Sequence, residues 1–177
     1  MSARLLLTAA GMICLALGVS LIAQAKRGLQ LTDLASFTYD LGEGASVNGG
    51  KVPLQGGTWT DSGGGGSTFV LDPHHALGDL DNDGVPDAAG IVVERSQGSG
   101  TFFYLFALLS RDGKPVQAGP PDWLGDRSTI DRVTIDRKGV LSVRYVTHKD
   151  GDPECCPTLR IEDRFRIENG VLTGITK

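Results

Sequence analysis

Between residues 78 and 90 the chain reads Gly78-Asp79-Leu80-Asp81-Asn82-Asp83-Gly84-Val85-Pro86-Asp87-Ala88-Ala89-Gly90. Counted from Asp79, carboxylates fall at positions 1, 3, 5 and 9, a glycine at 6, and Val85 at 7 has a backbone carbonyl to offer. Alternate carboxylates in a tight turn gather oxygens around one point, and the glycine permits the sharp bend that closes it. A hard cation such as calcium takes about six to eight oxygens. The loop contains no basic residue, so its four carboxylates repel one another at close range unless a counter-ion intervenes. Asp79, Asp81, Asp83, Val85 and Asp87 are therefore the candidate metal ligands, and calcium in a structural role is the expected ion.

The loop departs from the helix-flanked calcium loop at position 12, where a bidentate glutamate is required and Gly90 stands. The residues that follow, Ala88 to Glu94, are apolar and β-branched, which predicts a strand and not an exiting helix. The motif resembles the acidic turns of integrin-type FG-GAP repeats and, less closely, those of dockerin modules. That resemblance implies an ion that fixes a loop between strands. Glu94 and Asp72 are the candidate donors for the remaining coordination.

A second constellation is Glu154-Cys155-Cys156-Pro157. Neighbouring Cα atoms lie about 3.8 Å apart across a trans peptide, closer than the usual disulfide window. The pair reads either as a labile, thiol-responsive clip or as a rigid loop closure or two inert thiols. No C-x-x-C spacing or basic neighbour is present to depress a thiol pKa. His74 and His75 are adjacent, so on a strand they point to opposite faces and do not share an ion. His148 with Asp150 and Asp152, and Ser110 or Ser142 as nucleophile, lack a G-x-S-x-G elbow. Catalytic residues and an organic cofactor are therefore not assigned.

Residues 1–25 differ from the rest. Arg4 is the only charge before Lys26, Leu5 to Ala23 is apolar or small, and Ala23-Gln24-Ala25 matches an A-x-A cleavage site. This predicts a secretory signal peptide. The alternative is an uncleaved anchor, since the run is long enough for a bilayer core of about 30 Å. Met12 and Ile13 precede Cys14, so no lipid anchor is expected there. The predicted location is exported: periplasmic, cell-surface or secreted, membrane-anchored if the leader is retained. Residues 26–177 suffice for one domain. The formal charge of the chain is −4, and loss of Arg4 with the leader makes the remainder more negative still. No nucleic-acid partner is expected of an acidic domain.

The elements that must position these residues read as strands. Leu31 to Leu41 fits one short helix or a strand. Residues 42–66 hold ten of the 25 glycines, which disfavours an independent core-forming element there, although Val52 to Leu54 and Thr58 to Thr60 fit short strands. Thr101 to Leu109 fits a central strand buried on both faces. Arg111-Asp112-Gly113-Lys114 is a hairpin turn. Val133 and Ile135, then Leu141, Val143 and Tyr145, alternate with polar residues around a turn at Asp136 to Gly139. Leu159, Ile161, Phe165 and Ile167 share a face, with Arg160, Glu162, Arg164 and Arg166 opposite. Asp163 breaks that pattern and is expected near a sheet edge or paired with an arginine. Trp59 and Trp123 are expected in the core or an interface. The fold class is all-β or mainly β: an antiparallel meander forming a small sandwich or open barrel, with one short N-terminal helix.

The order of the Gly78–Ala89 loop, Gly98-Ser99-Gly100-Thr101-Phe102-Phe103-Tyr104-Leu105, Leu124-Gly125-Asp126-Arg127 and Cys155-Cys156-Pro157-Thr158 resembles a family of small bacterial exported proteins and lipoproteins. The resemblance spans about Leu31 to Leu172. It implies one exported domain with an acidic loop and a paired-cysteine loop, and no activity. The expected function is a calcium-stabilised, non-catalytic interaction module whose partner is a protein or another envelope component. Two alternatives are a calcium-dependent hydrolase of envelope polymers and a redox or thiol sensor using Cys155 and Cys156.

Overall fold

The computed structural model describes residues 27–42, 47–63 and 66–176. The predicted leader lies outside the described residues. After helix α1 (Leu31–Ala35) come β1 (Thr38–Asp40), β2 (Lys51–Pro53), β3 (Thr58–Thr60), β4 (Thr68–Gly78), β5 (Asp87–Arg95) and β6 (Thr101–Arg111). They are followed by β7 (Lys114–Gln117), β8 (Asp122–Asp126), β9 (Thr129–Ile135), β10 (Leu141–Thr147), β11 (Leu159–Glu168) and β12 (Val171–Thr176).

Every strand pairing is antiparallel. Six strands form one sheet in the order β3-β4-β5-β6-β7, with β8 beside the other half of β6. Four strands form a second sheet, β12-β11-β10-β9, and β1 pairs with β2. The sheets face each other as a sandwich and do not close into a barrel.

The alternation within β5 and β6 explains the layering. Ala89, Ile91 and Val93 of β5 and Leu105, Ala107 and Leu109 of β6 point toward the four-stranded sheet, where they meet Val133, Leu141, Val143 and Phe165. Ala88, Val92, Phe106 and Leu108 point the other way, onto a cap formed by the N-terminal segment. That cap contributes Leu34 of α1, Tyr39 of β1 and Val52 of β2. Tyr39 packs against Phe106 with ring centroids 4.6 Å apart and the rings tilted by 57°, and it donates its hydroxyl to the Leu34 carbonyl at 2.8 Å. Gly90 belongs to this face: a Cβ there would already touch Leu34 and Leu71 at 3.4 Å. Position 12 of the acidic motif thus faces the cap under α1 and not the acidic loop.

The turns follow their residues. Asp112 and Gly113, with φ of 52° and 75°, and Asn169 and Gly170, with φ of 53° and 79°, make hairpin turns in which both central residues are left-handed. Several expectations are corrected. Leu31 to Leu41 supplies both a helix and a strand. Val47, Val52 and Leu54, inside the glycine-rich region, are buried core residues. β4 runs for eleven residues where no strand is predicted, because Pro73 and a register shift between Leu71 and His75 interrupt its pattern. Asp163 does not pair with an arginine but does lie near a sheet edge: β12 pairs with β11 only from Arg164 onward, and just before that point Asp163 accepts the Tyr145 hydroxyl at 2.7 Å. Trp123 is 61% exposed on β8 and belongs to no core, whereas Trp59 packs against Phe69 at 5.6 Å.

Candidate metal centre

The acidic loop connects β4 to β5 and is clamped from three directions. Leu29 donates its N–H to the Pro86 carbonyl at 2.8 Å, and Gly28 lies so close that a Cβ would come within 2.7 Å of the Pro86 ring. On a second side the β9–β10 turn abuts the loop. Gly139 there has φ of +75°, and a Cβ on it would stand 2.7 Å from the Leu80 carbonyl oxygen and 3.1 Å from that of Asp79. The third clamp is the end of β6, through Ser110 and Arg111.

The loop's own conformation follows from short-range side-chain capping. Asp79 accepts the N–H groups of Asp83 at 3.1 Å and Gly84 at 2.8 Å. Asp81 also accepts from Asp83, at 3.2 Å, and Asp83 accepts from Val85 at 2.9 Å. Asn82 and Gly84 take positive φ, 61° and 83°, which asparagine and glycine tolerate best.

One ligand atom from each of Asp79, Asp81 and Asp87 lies within 4.8 Å of the other two. The fold therefore brings together three of the four predicted carboxylates. Asp83 stands outside this trio and caps Val85, while the Val85 side chain is buried in the domain. Neither suggested extra donor lies at the loop. Glu94, at the far end of β5, is buried and accepts the hydroxyls of Ser67 and Tyr104, both at 3.2 Å. Asp72 accepts the backbone N–H of His74 at 2.8 Å and contacts its Nδ1 at 2.7 Å.

Asp87 is the structural centre of the group. It is fully buried and accepts Leu80 N–H at 2.9 Å with one oxygen and Ser110 N–H at 2.7 Å with the other. Burial pushes its pKa above the ordinary carboxylate value; the two N–H donors oppose that rise, and the charges of Asp81 and Asp83 add to it. Arg111, at the start of the Arg111–Lys114 hairpin turn, reaches Asp81 at 2.7 Å. It supplies part of the positive charge that the loop lacks, and its own pKa is raised by the Asp81 hydrogen bond. The signal that identifies it is the pairing of β5 with β6, which sets the end of one strand beside the start of the other.

The donor set is oxygen only, so the chemistry fits calcium or magnesium and not a metal that prefers nitrogen or sulfur. Each carboxylate oxygen that accepts one N–H keeps a second lone pair, so the capping bonds and metal ligation are compatible. Asp79, Asp81 and Asp87 would hold the ion, with Arg111 sharing Asp81.

The remaining candidates lie elsewhere. His75 contacts the Pro73 carbonyl at 2.9 Å through Nδ1, so both histidines are engaged with their own strand. Ser110 is buried and donates its hydroxyl to the Arg27 carbonyl at 2.8 Å. Cys155 and Cys156 form a vicinal disulfide with Cα atoms 3.8 Å apart, exposed in the loop between β10 and β11. Among the described residues no helix is long and apolar enough to cross a membrane. Comparison with protein-family models, curated proteins and solved structures finds no match to this chain.

Proposed function

We propose that this chain is an exported β-sandwich that binds calcium at Asp79, Asp81 and Asp87, with the Val85 carbonyl and Asp83 completing the loop. In this reading the domain serves as a non-catalytic interaction module of the cell envelope. The observation that carries the reading is the convergence of three carboxylates at a clamped inter-strand turn. Export rests on the apolar leader with its A-x-A site. The vicinal cysteine pair also suits an oxidising compartment. A hydrolase needs two carboxylates facing across a substrate cleft. The carboxylates that converge here are instead tied to backbone N–H groups and Arg111, which favours a structural ion.

Thermal unfolding of the full chain in calcium, in magnesium and in chelator tests the metal assignment. A ligand that binds only the folded state raises the midpoint, by about 2.7 kcal/mol of stability at a hundredfold excess over Kd. The midpoint is expected to rise with millimolar calcium, and Asp81→Asn is expected to abolish the rise. An unchanged midpoint for the parent protein in calcium would overturn the assignment.

A further inference from the structure

β11 spans Leu159–Glu168, but its two sides are not equally covered. β10 pairs with it from Leu159 to Phe165, whereas β12 pairs with it only from Arg164 to Glu168. The side of β11 that faces away from β10 therefore has no neighbouring strand between Leu159 and Asp163. No hydrogen bond from the described residues reaches the backbone on that side. In an antiparallel ladder alternate residues present N–H and C=O to each side. The open stretch is thus an unfilled ladder about 17 Å long, at about 3.4 Å per residue.

Exposed edges are commonly blunted by proline, lysine, a bulge, an inward-pointing charge or a covering segment. The stretch Leu159-Arg160-Ile161-Glu162-Asp163 holds neither proline nor lysine. Its register with β10 is unbroken, and the irregularity against β12 falls beyond it, between Arg164 and Phe165. The inward-pointing charge is Asp163, at the last open position, and the Tyr145 hydroxyl satisfies it at 2.7 Å. Ile161 packs against the main core, and Leu159, on the same side of the strand, is left 39% exposed. Arg160 and Glu162 are exposed on the outer face.

Which strand fits this edge follows from the order of its charges. When two copies of the stretch pair antiparallel about Ile161, Arg160 faces the partner's Glu162 and Glu162 faces the partner's Arg160. Ile161 then meets the partner's Ile161 on the inner face, and Leu159 meets the partner's Asp163. Opposite charges placed directly across a strand pair stabilise it, and like charges destabilise it. Sliding the register by two residues would set Arg160 against the partner's Arg160, or Glu162 against the partner's Glu162. Sliding it by one would turn the apolar side chains outward. One register is therefore favoured, and it has the two-fold symmetry of a closed dimer, since it uses up the open edge of both copies. The contact of Arg160 with Asp131 at 3.4 Å joins side chains 79% and 37% exposed, and a surface pair of that kind holds Arg160 only weakly. The pairing ends where β11 begins, at Leu159, which matches the place where Thr176 of β12 takes over opposite Arg164.

We propose that this chain forms a two-fold dimer through the open edge of β11, in which residues 159–163 of two copies pair antiparallel about Ile161 and join the two four-stranded sheets into one. So short a contact belongs with the small interfaces, below about 1,200 Å² in total, which makes the dimer weak and reversible. The edge lies at the end of β10 away from the acidic loop, so the dimer goes beyond the calcium reading and does not depend on it.

The test is sedimentation equilibrium of the full chain over a range of concentrations, with hydrogen exchange read on the same samples. The parent should pass from monomer to dimer as concentration rises, and exchange at residues 159–163 should slow with it. R160E and E162R should each weaken the dimer about tenfold or more, because each sets like charges opposite one another twice. R160E/E162R should restore it. An equimolar mixture of R160E with E162R should also associate, because every glutamate then meets an arginine. R166E makes the same charge change on the part of β11 that β12 covers, and it should associate like the parent. Thermal midpoints report whether the variants fold. The proposal is overturned if the parent stays monomeric up to about 1 mM, or if R166E weakens association as much as R160E does. It also fails if the mixture associates no better than its components, or if exchange at residues 159–163 is the same in monomer and dimer. Association through any other part of the chain would be indifferent to these charge exchanges, and that outcome too rejects the β11 edge.

Discussion

Asp87 shows why a residue chosen for its chemistry also does structural work. Its two oxygens tie the acidic loop to itself through Leu80 and to the neighbouring strand through Ser110, so the carboxylate acts as a buried staple whether or not an ion is present. Asp87→Asn keeps the volume but turns an amide N–H₂ toward one of the two backbone donors, leaving a buried donor without an acceptor. The expected cost is about 2 kcal/mol, read as a lower denaturation midpoint in chelator as well as in calcium. A cost confined to calcium-containing buffer would instead make Asp87 a ligand only. The other carboxylates differ in kind: Asp79 and Asp83 cap nearby N–H groups within the loop, and Asp81 is shared with Arg111. The spacing of the carboxylates was legible in the sequence. Which of them converge was not, because each carboxylate's direction depends on the N–H group that captures it.

At the scale of elements, the loop is ordered by what packs on it. The β9–β10 turn reaches it through Gly139, whose φ of +75° and contact with the Leu80 carbonyl both exclude a Cβ. Gly139→Ala should therefore destabilise the protein by about 1–2 kcal/mol for the left-handed backbone alone, and more where the turn must also withdraw from the loop. Its specific signature is weakened calcium binding in a variant that remains folded, measured by calcium titration; unaltered affinity would mean that the turn merely touches the loop. Strands with plain alternation, β10 and β11, were visible in the sequence, as were the continuous apolar run of β6 and the hairpin turn at Asp112-Gly113. β4 was hidden by Pro73 and its local irregularity, and β8 by its glycine and its single buried apolar side chain, Leu124, whose neighbour Trp123 faces solvent.

For the whole molecule, the decisive feature is that β5 and β6 belong to two cores at once. Side chains of one parity pack against the four-stranded sheet, and those of the other parity against the N-terminal cap. Damage to either core must therefore be felt across the same pair of strands. Phe106→Ala, on the cap side, is expected to cost about 3–5 kcal/mol. Its unfolding should remain a single transition, with far-ultraviolet circular dichroism and tryptophan fluorescence coinciding. Separate transitions for the two signals would show that the cap melts independently of the sandwich.

The sequence by itself determined the β character, the positions of most strands and turns, and the presence of an oxygen-rich acidic loop. Each of these is local: they follow from the period-two pattern of side chains, from the backbone needs of glycine and asparagine, and from the spacing of carboxylates over a few residues. Only the tertiary structure decided that Arg111 enters the acidic loop, that Gly90 lies under α1 instead of serving as a ligand position, and that β12 pairs with β11 only from Arg164 onward. Those facts depend on strand register and on which layer covers which face. Pairings of that kind join residues far apart in the chain, and no short window of sequence contains both partners.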